Sequence, residues 1–526
     1  MAGSKRNRRE FLKAMGLGAA SLAMPALRAG ARAAAGEGPD AGLPNFVFIL
    51  ADDLGYRDIG CYGSTKNRTP NLDRMAGEGT RFSSFCSSSG VCTPSRSSLM
   101  TGCYPRRVSM HEDERGEWVL FPVSRKGLNP SEITVATLLK GKGYATHAIG
   151  KWHLGDQPPF LPRRHGFDGY FGIPYSNDMG GAPAPGPPTL RASPGSLEPG
   201  PPTLRASPGA LAPVAPALRA SGASKDSPYP PLPLVRDDEV IEAPVDQDTL
   251  TERYTREAVR FIAEHKDKPF FLYVSHLMPH TPLHSGERFR GKSANGKYGD
   301  AVEELDWSTG EILAALKAHG CDGKTLVIFT SDNGGVRPDN NGPLNGTKGS
   351  TLEGGHRVPF IARRPGRVPA GKVCPELATM MDILPTFAAL AGLEPPRDRV
   401  IDGKDISALL EKPETAKTPY DVFFYYFMGQ LQAVRSGRWK LHLPLAKKRH
   451  GWHLEPYEEK GMLFDLEADA AAESVNLLDK HPDIVARLTA LAAKAREDIG
   501  DDGRDGKNQR PAGWVEAARP LTLARG

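Results

Sequence analysis

The chain has 526 residues, 39% hydrophobic and 25% charged, with a formal net charge of +5. That length exceeds one ordinary core and calls for two domains, or one large α/β domain with a smaller companion. The composition is that of a soluble globular protein. So small a charge, with no basic stripe, gives no footing for a nucleic-acid partner, and Lys447-Lys448-Arg449 reads as a solvated loop.

At the N-terminus, Asn7-Arg8-Arg9-Glu10-Phe11-Leu12-Lys13 resembles the twin-arginine export signature. A weakly apolar stretch, residues 14–26, follows it, and Ala31, Ala33 and Ala35 offer A-x-A cleavage sites. Residues 1–35 therefore read as a twin-arginine signal peptide, with the export machinery as a partner. The stretch is shorter than the roughly 20 apolar residues of a membrane span, so the mature chain is expected to be soluble, periplasmic or secreted, with no stable membrane span.

From Asn45 onward, short apolar runs alternate with helical stretches, the mark of βαβ units. Strands are predicted at residues 46–50, 144–149, 270–274 and 326–330, and a helix at 300–319, where Val302, Leu305, Ile312, Leu313 and Leu316 form an apolar face. Polar residues stand just past each strand: Asp52 and Asp53, Lys151 and His153, His280, and Asp332 and Asn333. Ligands of open parallel sheets bind outside the carboxyl ends of the strands, so these groups are expected to share one crevice.

Residues 179–235 differ in kind. The string PGPPTLRASPG occurs at 185–195 and again at 199–209, with an echo at 216–222. Such a Pro-, Gly- and Ala-rich repeat cannot bury an apolar face and reads as a disordered surface insertion. A boundary is expected near residues 395–419, dividing a catalytic domain (42–400) from a small C-terminal α+β domain (415–526). There, strands are predicted at 422–427, 432–435, 439–442 and 462–466, with a helix at 482–499 and a poorly ordered tail after Gly500. The six cysteines include no C-x-x-C pair, which argues against a zinc knuckle or a complete disulfide framework, while one or two bridges stay open.

The sharpest motif is Cys92-Thr93-Pro94-Ser95-Arg96, inside SSGVCTPSRSSLMTG. A helix is expected just after Cys92, with free N–H groups facing an anion. Asp52, Asp53, Asp332 and Asn333 are hard oxygen ligands, suited to Ca²⁺ or Mg²⁺ rather than zinc. Gly150-Lys151-Trp152-His153-Leu154-Gly155, the segment from Ser275 to Pro282, and the segment from Gly346 to Gly355 supply Lys151, His153, His280 and Lys348.

Together these strings resemble the formylglycine-dependent, arylsulfatase-like sulfatases of the alkaline phosphatase superfamily. The likeness spans residues 45–478, interrupted by the insertion, and departs at Thr347, where the family often has Gly. It implies an alkaline-phosphatase-like, mostly parallel α/β sheet flanked by helices. It implies that a maturation enzyme oxidises Cys92 to formylglycine, whose hydrate attacks sulfur through one hydroxyl and releases sulfate through the other. It carries over Asp52, Asp53, Asp332 and Asn333 as ligands of one Ca²⁺, and Lys151 as a sulfate contact. His153 would be the base for the collapse, His280 and Lys348 the leaving-group contacts, Arg96 the support of position 92, and Ser176 a substrate-pocket residue. His276 and His284 compete with His280. The implied substrate is a sulfated small molecule or glycan. Two alternatives stay open: a phosphate or phosphonate monoester hydrolase of the same superfamily, and a non-catalytic secreted glycan-binding protein.

Overall fold

The computed structural model describes residues 42–181, 229–451, 457–468 and 473–523. The expected export segment and the repeat itself lie outside the described residues. Leu43–Gly526 cluster as one unit.

Ten strands form the main sheet: β1 (Asn45–Ala51), β2 (Thr80–Phe82), β3 (Ala145–Gly150), β4 (Gly169–Gly172), β5 (Leu234–Arg236), β6 (Glu239–Glu242), β7 (Phe270–Ser275), β8 (Thr325–Ser331), β9 (Phe360–Arg363) and β10 (Lys372–Cys374). Their spatial order is β10-β2-β9-β8-β1-β7-β3-β4-β5-β6. The run β8-β1-β7-β3-β4 is parallel throughout, whereas β9 and β5 reverse direction beside β8 and β4. The four strands predicted from apolar runs are the adjacent quartet β8-β1-β7-β3. At about 4.8 Å per strand, their carboxyl ends fall within one narrow crevice.

The quartet is apolar on both faces because both are covered. Phe46, Phe48 and Leu50 of β1 enter one core with α1 (Cys92–Thr101), α2 (Val135–Gly141) and α5 (Ile383–Leu390). Val47, Ile49 and Ala51, one residue out of phase, enter the other with α3 (Leu250–His265) and α4 (Gly296–Ala318). Val302, Leu305, Ile312, Leu313 and Leu316, the predicted apolar face of α4, are all buried there. Each such side chain contributes about 1.5–3 kcal/mol.

A smaller antiparallel sheet follows in the order β11 (Phe423–Phe427), β12 (Gln430–Ser436), β13 (Trp439–His442) and β14 (Met462–Asp465). The helix α6 (Pro482–Asp498) packs Leu488, Ala492 and Ala495 against Leu431, Val434 and Leu441 of this sheet.

Two expectations need correction. The segment after Gly500 is ordered: Gly500–Asp501 pairs with Arg504–Asp505, and Gly513–Trp514 pairs with Lys126–Gly127. Its polar, glycine-rich composition suggested a loose tail, but backbone pairing to a distant strand holds it. The span 179–235 is also not uniformly without structure. Met179 ends a short 3-10 turn, and β5 begins at the buried Leu234. Among the described residues all six cysteines are free, and no helix is long and apolar enough to cross a membrane.

Candidate active site

Each strand of the quartet ends in a turn that aims a polar side chain into the crevice. After β1 the chain turns at Asp53, which holds a left-handed φ of 64°. Its backbone N–H donates to Asp332 Oδ1 (3.2 Å), and Leu54 N–H donates to Ser331 Oγ (2.9 Å), so the ends of β1 and β8 are stitched together. After β3, Gly150 has φ +94°, and a Cβ there would lie 1.8 Å from the Ser275 carbonyl oxygen. Only glycine fits this close approach, and the turn it permits delivers Lys151 and His153. His153 itself has φ 60°; such strain, about 1–2 kcal/mol in a non-glycine residue, is held by the packing around it.

Cys92 opens α1 and is 2% exposed. Its thiol lies 3.6 Å from Asp52 Oδ1. Burial pushes the Cys92 thiol well up, with Lys151 and Lys348 opposing, so the side chain is a poor thiolate nucleophile in its unmodified form. One turn on, the buried Arg96 forks onto Asp332 Oδ2 through Nε (3.1 Å) and Nη2 (2.8 Å). Its Nη1 donates to the Lys151 carbonyl (2.9 Å) and to Ser275 Oγ (2.5 Å). Arg96 thus ties the ends of β8, β3 and β7 to the helix that carries Cys92.

Lys151 Nζ donates to Asp52 Oδ2 (2.6 Å) and Ser176 Oγ (3.0 Å). Lys348 Nζ donates to Asp53 Oδ2 (2.9 Å). Burial alone would raise the Asp52 carboxyl, but Lys151, His280, Arg96 and Lys348 together hold it well below the usual range. Burial and the neighbouring Asp52 push Asp332 up to about 6, against Arg96. Three carboxylates (Asp52, Asp53, Asp332) therefore face three permanent cations (Arg96, Lys151, Lys348).

His153 is buried; burial first, then Lys151 and Arg96, hold its pKa well below the usual value. Its Nε2 is 2.9 Å from the Leu120 carbonyl, which can only accept, so Nε2 carries the proton. Nδ1 is left as a buried lone pair with no partner among the described residues. His280 Nε2 lies 3.6 Å from Asp53 Oδ2. Of the rival histidines, His276 is buried beside Ser308 of α4 (3.3 Å), and His284 pairs with Asp248 (2.8 Å); the crevice is left to His280.

Ligand atoms of Asp52, Asp53, Cys92 and His280 all lie within 4.8 Å of one another. Asn333 Nδ2 donates to Asp53 Oδ1 (2.7 Å), while Asn333 Oδ1 is buried with no donor among the described residues. All eleven residues singled out in the sequence are buried; Cys92 and Arg96 stand on α1, and the other nine follow strand ends or lie in loops. Three supporting groups escaped the sequence reading. Ser275 sits at a strand end and could have been flagged by that placement. The Leu120 carbonyl has no sequence signal at all. Asp58 receives Gly55 N–H (2.7 Å), Tyr298 Oη (2.5 Å) and Asn340 Nδ2 (2.7 Å), bracing the Asp52-Asp53 turn; its partners come from distant segments that no local pattern ties to it.

A mostly parallel sheet with a charged crevice at its carboxyl ends and a smaller antiparallel sheet beside it is the architecture of the alkaline-phosphatase-like hydrolases. The Sulfatase profile matches residues 44–393. The chain is 41% identical to mouse (Mus musculus) steryl-sulfatase over 444 residues, covering 77% of this chain and 71% of that protein. It is 37% identical to Arylsulfatase A of Bos taurus over 478 residues, covering 86% and 87% respectively. The solved PsFucS1 sulfatase from Pseudoalteromonas sp. shares the fold with a TM-score of 0.68 at 27% identity, over 86% of this chain and 89% of that one. The chain belongs to the sulfatase family and is an enzyme that hydrolyses sulfate esters.

Proposed function

We propose that the enzyme cleaves sulfate monoesters through a formylglycine made from Cys92, assisted by one divalent cation, Ca²⁺ or Mg²⁺, held by Asp52, Asp53, Asp332 and Asn333. The reading is carried by the placement of Cys92 at the start of α1, facing Asp52 with Lys151 and Lys348 alongside. Its buried thiol is unsuited to nucleophilic work as it stands, whereas a hydrated aldehyde there supplies one hydroxyl to attack sulfur and a second to release sulfate. The donor set fits a hard cation. It is oxygen-rich, and the unpartnered Asn333 Oδ1 is a buried acceptor awaiting positive charge. When bound, the ion polarises sulfate oxygens and offsets carboxylate repulsion.

The chain's own groups divide the remaining work. Lys151, fixed by Asp52 and Ser176, offers charge to a sulfate oxygen, with Ser176 on the pocket wall. His153, locked by Leu120 in the tautomer with a bare Nδ1, accepts a proton near position 92 when sulfate leaves. His280 and Lys348 flank Asp53 and meet the leaving-group oxygen. Arg96 holds the Cys92 helix on the sheet. Upstream, residues 1–35 direct twin-arginine export to the periplasm or beyond, after a maturation enzyme has oxidised Cys92. The substrate class is a sulfated small molecule or glycan.

Peptide mass spectrometry across position 92, on protein from its native host, tests the centre of this reading. The expected result is an aldehyde in place of the thiol. Fully active, metal-replete enzyme carrying only the thiol would end it. Rates on 4-nitrophenyl sulfate and the matching phosphate separate it from the phosphate-hydrolase alternative, which a preference for phosphate by orders of magnitude would favour.

A further inference from the structure

Away from the crevice, a cavity of about 430 Å³ is lined by Arg106, His111, Lys126 and Arg449, with tail residues including Arg504 and Asp505 at its rim. Its inner walls are built from cations taken out of water. Arg106 is 5%, Lys126 6% and His111 7% exposed. Burying charge is costly unless it is paired, yet no carboxylate lies in ion-pair contact with Arg106 or Lys126 among the described residues. Arg106 Nη2 donates to the Asp501 and Arg504 carbonyls (2.6 and 2.7 Å), and Lys126 Nζ to the Glu112 carbonyl (2.6 Å). Of the three lining carboxylates, Glu112 and Asp502 are taken by Arg449, at 3.6 and 2.8 Å, Glu112 also lies 3.7 Å from His111 Nε2, and Asp505 is exposed beside Arg504.

The tautomer of His111 sharpens the point. Arg106 Nη1 lies 3.2 Å from His111 Nε2. A guanidinium only donates, so Nε2 must accept and Nδ1 must carry the proton. That Nδ1–H has no acceptor among the described residues, and neither has Arg106 Nε–H. Lys126 keeps two further N–H groups beyond its bond to Glu112. The cavity thus offers surplus positive charge and the spare N–H groups of Lys126, while His111 Nδ1 and Arg106 Nε lie closed off from solvent behind its wall.

We propose that this cavity binds an oxyanion, a sulfate or carboxylate group, at a second site distinct from the catalytic crevice. Its walls run directly into catalytic supports. The chain that leaves His111 reaches Leu120, whose carbonyl holds His153. The Arg449 carbonyl accepts from Gln432 Nε2 (2.6 Å), and Gln432 Oε1 accepts from Thr351 Oγ1 (2.8 Å), three residues past Lys348. The oxyanion has two sources: a second anionic group on a polyanionic substrate, or inorganic sulfate, the product. This assignment of source rests on the sulfatase reading; the binding itself does not.

Full-length Cys92→Ala protein, crystallised with tens of millimolar selenate, tests the site without turnover. The expected result is an anomalous selenium peak inside the cavity, with a selenate oxygen within hydrogen-bonding distance of Lys126 Nζ, lost in both Lys126→Met and His111→Phe versions of that protein. A cavity without selenate, or a peak that persists in both, overturns the proposal. Kinetics on Lys126→Met with Cys92 intact then separate the sources. A KM raised about tenfold for a disulfated disaccharide, with 4-nitrophenyl sulfate unchanged, identifies the substrate. Unchanged constants on both, with the peak lost, identify inorganic sulfate. Selenate binding in a protein that hydrolyses neither compound would uphold this site and sink the catalytic reading instead.

Discussion

Glu353→Gln is the substitution whose effect the structure sizes most directly. Glu353 is buried in the Gly346–Gly355 motif, downstream of Lys348. Its Oε1 accepts from Lys440 Nζ (3.0 Å) and Tyr425 Oη (2.7 Å), and its Oε2 from Arg357 Nε (2.8 Å), with Arg435 Nη1 at 3.8 Å. Glu473 completes the cluster at 2.9 Å from Lys440 and 2.8 Å from His442. Three cations thus share two carboxylates, and the Gln variant leaves them one. Removing one partner of such a buried pair costs about 3–5 kcal/mol. Because Tyr425, Arg435 and Lys440 belong to the small sheet, the loss should also loosen the loop bearing Lys348. Urea unfolding, followed by intrinsic fluorescence alongside 4-nitrophenyl sulfate turnover, is the assay. Lys440→Met should be costly alone, and the double variant should lose less than the sum of the two. A single-variant loss under about 1 kcal/mol, or strict additivity, would refute the reasoning.

Three further outcomes are expected. His165 is buried, and burial holds its pKa down at about 3 against a weaker opposing pull from the Phe160 backbone; the unfolded chain takes up a proton below about 6.5 that the folded chain refuses. Stability from this group is therefore complete above pH 6.5 and lost as pH falls. The stability of His165→Phe relative to wild type should rise by about 1.4 kcal/mol between pH 7.5 and 5.5 in denaturant titrations. Chelation should lower both activity and thermal midpoint, and added Ca²⁺ should restore both, because Asp52, Asp53 and Asp332 lose a counter-charge; an unchanged midpoint would speak against the metal set. Lys348→Met should cut kcat by about a hundredfold or more and most severely for substrates with poor leaving groups, which a series of aryl sulfates measures; a uniform loss across the series would move Lys348 away from the leaving group.

Much of this enzyme was legible in its residues before any folding. The quartet β8-β1-β7-β3 announced itself because strands buried on both faces must be apolar throughout, and the polar residues after each could only sit at a sheet edge. The shorter strands β2, β4, β5, β6, β9 and β10 gave no such signal. They span three or four residues, too few for a period, and pairing rather than propensity creates them. Motif position favoured His280 over His276 and His284, but what removes the two rivals, burial beside α4 and a pair with Asp248, is a long-range fact.

By itself, the order of residues determined the fold class, the crevice and the chemical types gathered in it, since alternation, glycine turns and side-chain chemistry are local properties. Tertiary structure alone decided which nitrogen of His153 is bare, through a carbonyl from a distant loop. It likewise decided that Glu353 is locked by a separate sheet, that the tail pairs with Lys126–Gly127, and that two buried cations line one cavity. Contacts between residues hundreds of positions apart depend on how the whole chain closes, and no local pattern encodes that.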